Sequence, residues 1–306
     1  MLPLTLALSQ PGEGILDRKF SLTTSPDPIP PQLALHFERD PAGRTFLARQ
    51  FVTYPFFLTR PFYLDETLPG MSSLILQSVS GGIYQDERLA VSLTAGVGAQ
   101  VHCTTQSATV VHSMAENRDA CQVVRISVAE GALVEYLPGP LILFPHANLR
   151  TAIQVVAEAS ATVVIGEAFL MHDPAAQSRR FGSLFGEASF HRPDGQLLAL
   201  DRFHITGDEW TLVSPGVLQH FQAQGTVWVL CSSSTTELLA GLREALTGVA
   251  GLYAGASTLP NNAGVWARFL ASDGVALNRG FYAVRAAVRH ALTGKGLTGQ
   301  RKVGWL

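Results

Sequence analysis

A strand that ends, a turn of small residues and a second strand occur three times in the middle of this chain. The units run from Ser92 to Thr105 around Gly96-Val97-Gly98-Ala99, from Ile126 to Leu137 around Glu130-Gly131-Ala132, and from Val155 to Phe169 around Ala159-Ser160-Ala161. Their spacing of roughly 30 residues lies in the range where supersecondary units stack on one another. A single rung of this kind cannot bury its apolar face alone, so the echo predicts sheet stacked on sheet, with small residues at the corners. An ordinary β-sandwich, in which turn signals also recur, is the alternative. Strand composition extends to both sides, through Leu33 to Phe37, Thr45 to Val52, Phe56 to Leu58, Ser72 to Val79 and Leu89 to Leu93. It returns in Gln196 to Leu200, Arg202 to Ile205 and Thr226 to Leu230.

Helical periodicity is confined to the last third. Leu238, Leu239, Leu242 and Leu246 form an apolar stripe that predicts a helix near 237–247, with Ser234, Thr235 and Thr236 available as caps. Phe281, Val284, Val288 and Leu292 predict a second near 281–293, stopped by Gly294. Arg285 and Arg289, one turn apart, are read as a solvated face, with an acidic partner as the alternative. The expected architecture is mainly β: stacked sheets, β-helix-like or sandwich-like, with a small C-terminal helical part. Residues 1–32, closed by Pro26, Pro28, Pro30 and Pro31, read as a tail or strap, and 33–306 as a single large domain.

With 306 residues, 47% of them hydrophobic, the chain can bury a substantial core. Charged residues are 15% and the net charge is −2, so neither a nucleic-acid footprint nor a polybasic membrane patch is expected. The longest uncharged run, Trp210 to Thr236, is interrupted by Pro215 and Gly216 and does not suit a bilayer core. The apolar start, Met1 to Leu8, lacks a basic flank and a cleavage site, so no signal peptide is expected. Cys103, Cys121 and Cys231 fit reduced thiols in a cytosol better than a disulfide framework.

Catalytic motifs are missing where they would be sought. Gly96-Val97-Gly98 lacks the third glycine of a dinucleotide fingerprint, Gly294-Lys295-Gly296 lacks the rest of a P-loop, and Ser257 is followed by Thr258 and Leu259 instead of a nucleophile elbow. The nine histidines show no metal-ligand spacing, and His102 and Cys103, adjacent on a strand, face opposite ways. What stands out instead is Gly81-Gly82 followed by Asp86-Glu87-Arg88, which fixes an acidic group at a strand entrance.

Several runs, in order and spacing, resemble the urease accessory protein family called UreD, or UreH in some bacteria. They are Arg60-Pro61-Phe62-Tyr63, Gly81-Gly82-Ile83 with an acid and Leu89 following, and Thr104-Thr105-Gln106-Ser107-Ala108-Thr109. Glu135-Tyr136-Leu137-Pro138, Ile142-Leu143-Phe144, Ala147-Asn148, Leu252 to Ser257 and Val265 to Phe269 complete them, so the resemblance extends from about Gly43 to Trp305. Departures mark a divergent member. Ser78-Val79-Ser80 stand where the family has proline, Asp86-Glu87 where it has Gly-Asp, Val110, His112 and Ser113 where it has Lys, an aromatic and Arg, and Gly139-Pro140 where it has a Gln-acid step.

The resemblance implies a cytoplasmic, β-rich scaffold that is not itself an enzyme. It also implies binding to UreF, through UreF to the GTPase UreG, docking on the urease apoprotein, and transient handling of nickel(II) with no permanent cofactor. Positions matching acids or hydroxyls of the family nominate Glu87, Thr109, Glu135, Glu167 and Asp201 for a hydrated nickel path, with plain turn acids and a strand threonine as the alternative. From other classes, a carbohydrate-active enzyme using Asp86 and Glu87 and a plain interaction module compete. Adjacent strand residues face opposite ways, which argues against that pair acting on one bond.

Overall fold

The computed structural model describes residues 29–211, 218–232, 235–294 and 296–297, so the tail read before residue 29 and the cap sought at Ser234 lie outside the described residues. From Leu33 the chain passes repeatedly between two sheets. β1 (Leu33–Arg39) and β2 (Thr45–Val52) form a hairpin at one edge of the first sheet, and β3 (Phe56–Leu58) and β4 (Ser72–Ser78) begin the second. β5 (Arg88–Ala95) returns to the first, β6 (Gln100–Thr105) and β7 (Thr109–Val111) belong to the second, and β8 (Ala120–Val128) returns again. β9 (Leu133–Tyr136) and β10 (Leu141–Leu143), β11 (Asn148–Ala157) and β12 (Thr162–Met171) repeat the passage. The first sheet then closes with β13 (Ser183–His191) and β14 (Leu197–Thr206), which leads into the short α1 (Gly207–Trp210). β15 (Ala223–Leu230), α2 (Thr235–Thr247), β16 (Leu252–Thr258), a 3-10 turn (Pro260–Asn262), β17 (Gly264–Ala271) and α3 (Gly274–Thr293) complete the chain's described elements.

The result is a solenoid-like stack, as the 30-residue echo predicts. In the first sheet β5, β8, β11 and β13 run parallel and align Val91, Val124, Ile153 and Ala188 in one row. In the second, β4, β6, β9 and β12 align Leu74, Cys103, Tyr136 and Ile165. All eight side chains belong to one hydrophobic cluster between the sheets. Strand pairing forces this: side chains alternate between faces, so an in-register stack turns one inward residue per rung into a continuous apolar column.

The outer face of the second sheet is covered by α2 and α3. Leu238, Leu242 and Leu246 of α2, and Phe281, Val284 and Val288 of α3, pack on Val164, Val227 and Val229. The approach is close at Gly166, where a Cβ would come within 2.8 Å of the Phe281 ring. α3 begins about two turns earlier than its apolar stripe suggests, because Asp273 accepts hydrogen bonds from the Val275 and Ala276 amides at 2.9 and 2.8 Å. It ends as expected, with Gly294 in the left-handed region at φ 68°.

The reading of Arg285 and Arg289 as a solvated face is overturned, for both are buried, at 3% and 0% exposure. Their partner is Glu135, which stands on the outer face of β9 beneath α3. Arg285 Nε donates to Glu135 Oε2 at 3.0 Å and Arg289 Nε to Oε1 at 2.5 Å. Arg289 Nη2 reaches Asp65 Oδ2 at 3.0 Å and donates to the Met71 sulfur at 2.7 Å. Asp65 in turn accepts from the Thr67 and Leu68 amides, so the loop between β3 and β4 joins the cluster. His102, paired with Glu135 across the strands, brings Nδ1 to 2.9 Å from Oε2, but out of line with a ring N–H. Burial, and then the Arg285 charge, lowers the His102 pKa to about 4, so the ring is neutral. Burial also opposes the Glu135 charge, yet the two guanidiniums outweigh it and hold this carboxyl well below the usual range.

Such a cluster is sensitive to the loss of one member, because the others remain buried and charged. Glu135→Gln is expected to destabilise the fold by about 3–5 kcal/mol in denaturant unfolding. An unchanged unfolding midpoint would show that α3 is held by its apolar face alone.

Candidate functional site

A second polar group lies where a stacked sheet should be driest, between the two sheets. On β11 the inward positions read Leu149, Thr151, Ile153, and on β12 they read Ile165, Glu167, Phe169. Thr151 and Glu167 therefore fall between two apolar clusters, one containing Ile153 and Ile165, the other Leu149 and Phe169. Burial of an unpaired polar group there would cost several kcal/mol, roughly 2–7 by transfer. The chain avoids that cost by pairing across the gap, with Thr151 Oγ1 donating to Glu167 Oε1 at 2.9 Å.

The same layer continues toward the edge formed by β14, β16 and β17. Strand register places Glu167, Thr226 and Arg268 in one row of the second sheet. Arg268 Nε donates to Thr226 Oγ1 at 3.0 Å, and Nη2 crosses to Asp201 Oδ2 of β14 at 2.5 Å. The Asp201 and Arg268 side chains keep 26% and 28% exposure, so water reaches this end of the layer. Glu167 is also partly exposed, whereas Thr151 is buried. Desolvation raises the Glu167 carboxyl to about 7, and the nearby Asp201 charge pushes the same way, against the Thr151 hydrogen bond and Arg268.

On its other side the layer meets an interruption of the second sheet. β12 is continuous, but the strands beside it break, pairing with it as β9 over Thr162 to Ile165 and as β10 over Phe169 to Met171. Glu167 lies level with that break. The next rung breaks likewise between β6 and β7. These two gaps are filled by Gln106-Ser107-Ala108, after Thr105, and by Leu137-Pro138-Gly139-Pro140. Gly139 donates its amide to Thr105 Oγ1 at 2.8 Å, and a Cβ on Gly139 would come within 2.7 Å of the Ser107 carbonyl oxygen. The loops must therefore press together with small residues, and their hydroxyls and carbonyls replace the missing ladder.

The five residues nominated from sequence do not form one group. Glu167 and Asp201 share the inter-sheet layer, and Thr109 starts β7 in the same row as Leu141 and Phe169, one step beyond the break. Glu135 is on the opposite face of the second sheet, with both carboxylate oxygens taken by arginines. Glu87 caps a turn, accepting from the Tyr84 amide at 2.9 Å. Its neighbour Asp86, at φ 65°, is ion-paired with Arg118, and Arg88 reaches Asp119 at 2.6 Å, so this acidic corner ties one rung to the next. Sequence reasoning missed Thr151, Thr226 and Arg268, although a threonine at an inward position of an apolar strand was the available signal.

No cluster of three or more metal-ligating side chains occurs among the described residues. No helix among them is long and apolar enough to cross a membrane.

Comparison with known proteins agrees with the motifs. The family model described as UreD urease accessory protein matches residues 30–302. Urease accessory protein UreD 1 of Pseudomonas syringae pv. syringae (strain B728a) is 39% identical over 259 residues, covering 84% of this chain and 90% of that protein. Urease accessory protein UreD 1 of Methylorubrum populi is 37% identical over 271 residues, covering 89% and 91%. Bradyrhizobium sp. (strain BTAi1 / ATCC BAA-1182) has a UreD 1 that is 35% identical over 260 residues, covering 85% and 91%. Sheet stack, motif order and likeness along nearly the whole described length coincide, and the chain belongs to the UreD urease accessory protein family.

Proposed function

We propose that this chain is a cytoplasmic urease maturation factor that binds UreF, and through it UreG, docks on the urease apoprotein and passes nickel(II) along its inter-sheet polar layer without catalysing a reaction. The observation that carries this reading is the pair of hydrogen bonds that cross between the sheets, Thr151 to Glu167 and Arg268 to Asp201, with water-reachable carboxylates between two apolar clusters. A structural stack has no need of acids at that level. A divalent cation crossing it does, because carboxylate and hydroxyl oxygens replace part of its hydration shell. With two carboxylates on the path, one of them paired with an arginine, the layer offers weak sites from which the ion can leave.

Glu167 suits such a task because its charge changes near neutrality. The neutral acid packs between the sheets without an unpaired charge, whereas the carboxylate attracts the cation. Thr109 and the carbonyls of the two facing loops extend the polar surface beyond it. Glu135 lies off this path, on the far face of the sheet with both oxygens bound to Arg285 and Arg289, and Glu87 lies at a turn where Oε2 accepts from the Tyr84 amide.

Glu167→Gln is expected to leave the fold and the UreF complex intact and to lower urease activation at limiting nickel by about tenfold, the equivalent of losing one contact of ~1.4 kcal/mol. Activation equal to that of the unaltered chain would remove the layer from the nickel route. The same substitution reports on the carboxyl itself. The folded pKa of Glu167, about 7, lies above the ordinary value of 4.5. The folded state thus holds a proton that the unfolded state has lost, and stability falls as pH rises between these values before levelling off. Discounted for partial exposure, the fall is on the order of 2 kcal/mol. The difference in unfolding free energy between the unaltered chain and Glu167→Gln should therefore shift in favour of the variant from pH 4.5 to 7, and a pH-independent difference would contradict the raised pKa.

A further inference from the structure

The end of the stack formed by β2 and β3 is open. β2 is the outermost strand of the first sheet and β3 of the second, and among the described residues no strand pairs with either on its far side; only Thr45, at the start of β2, is covered, by Gly70 and Tyr63. A groove of about 440 Å³ runs between them, lined by Leu47 to Gln50 on one side and Leu58 to Pro61 on the other. Leu47, Val52, Phe56 and Leu58 pack on the inter-sheet core but remain half-buried, so the core shows at this end. Stacked repeats require a polar cap at each end, and unpaired edges invite strand addition.

Three features indicate what covers it. Phe51 and Phe57, at 56% and 53% exposure, stand on the outward faces of the two edge strands. Arg49 and Arg60, both exposed and both lining the groove, have no carboxylate, carbonyl or ring partner among the described residues. Among the other described arginines, Arg88, Arg118, Arg179, Arg180, Arg202 and Arg268 each hold a carboxylate. In a chain with so few charges, two free guanidiniums beside one groove form a local anion-seeking pair. Finally, the Thr59 hydroxyl is buried in the groove wall without a hydrogen-bond partner.

We propose that this groove receives an extended, acidic segment of a partner protein, which adds as a strand to the free edge of β2. Its carboxylates meet Arg49 and Arg60, and its alternate apolar side chains cover Leu47 and Leu58 between Phe51 and Phe57. Main-chain bonds to the edge supply affinity, and the two arginines select for acidic side chains. The surface is independent of the inter-sheet layer, so it stands whether or not nickel uses that layer.

The test uses the full chain and a fluorescein-labelled ten-residue peptide alternating glutamate with leucine or valine, against a counterpart with lysine for glutamate. Fluorescence anisotropy should show saturable binding of the acidic peptide and none of the lysine peptide. The double variant R49A/R60A, in which only exposed side chains change, should keep its melting temperature and bind about tenfold more weakly. Hydrogen exchange should show new protection in β2 between residues 46 and 52. No binding, equal binding of both peptides, or protection elsewhere would overturn the proposal. So would tighter binding after removal of residues 1–28, which would make the chain's own segment the occupant, or competition by concentration-dependent self-association, which would make it a second copy.

Discussion

Parallel strands stacked in register decide what else this molecule can do. Each of the rows through Val91, Val124, Ile153 and Ala188 and through Leu74, Cys103, Tyr136 and Ile165 is held along the stack by main-chain bonds, and its side chains face the opposite sheet. A polar side chain on an inward position must therefore find its partner beside it in the same row, as Thr226 does in Arg268, or across the gap, or reach water along it. Thr151 with Glu167 is the first case, and Asp201 with Arg268, nearer an edge, combines both. The polar layer is a consequence of position: one row of the second sheet, Glu167, Thr226 and Arg268, is built from carboxyl, hydroxyl and guanidinium groups, and it faces Thr151 and Asp201 of the first sheet. Its level coincides with the break in the second sheet, where the ladder itself is replaced by loops.

The helices solve a different problem, that of covering the outer face of the second sheet. Apolar contact through Leu238, Leu242, Phe281 and Val284 would hold them against the sheet. Glu135 with Arg285 and Arg289 adds a registry element, because charges this deeply buried tolerate only one placement of α3. Through Asp65 and Met71 the same arginine fixes the loop that precedes β4. A single side chain thus connects the beginning of the stack, its third rung and the last helix.

The difference between what the sequence disclosed and what it concealed follows from range. The recurring rung, most of the strands and the stop at Gly294 depend on neighbours a few residues apart and were legible, although β13 and the strand character of β16 and β17 were not read. The family was legible too, through runs such as Thr104 to Thr109 and Glu135 to Pro138, which lead into the two loops that fill the break beside Glu167. The start of α3 was missed because the cap is Asp273 while the strong apolar stripe begins only at Phe281. Arg285 and Arg289 were misread because nothing local distinguishes a buried arginine from a solvated one; their carboxylate is about 150 residues away. The same limit applied to the site. Glu167 and Asp201 could be nominated from sequence, but the facing Thr151 and Arg268, and the sheet that separates Glu135 from them, depend on which strands stack.

The two ends of the stack are unlike, and this gives the molecule a direction. At one end β14 is antiparallel to β13, β15 to β17 extend the second sheet, and α2 and α3 lie over it. The polar layer approaches the surface on that side, through Asp201 and Arg268. At the other end the edge strands β2 and β3 are bare, with half-buried core residues between them. A partner seated there would not obstruct the layer, since the strands β1, β5, β8 and β11 lie between the open edge and the Asp201 end of the first sheet. The open end is nevertheless tied to α3, because Arg289 reaches Asp65 and Met71 before β4. Attachment at one end and access to the polar interior at the other are therefore compatible in one molecule.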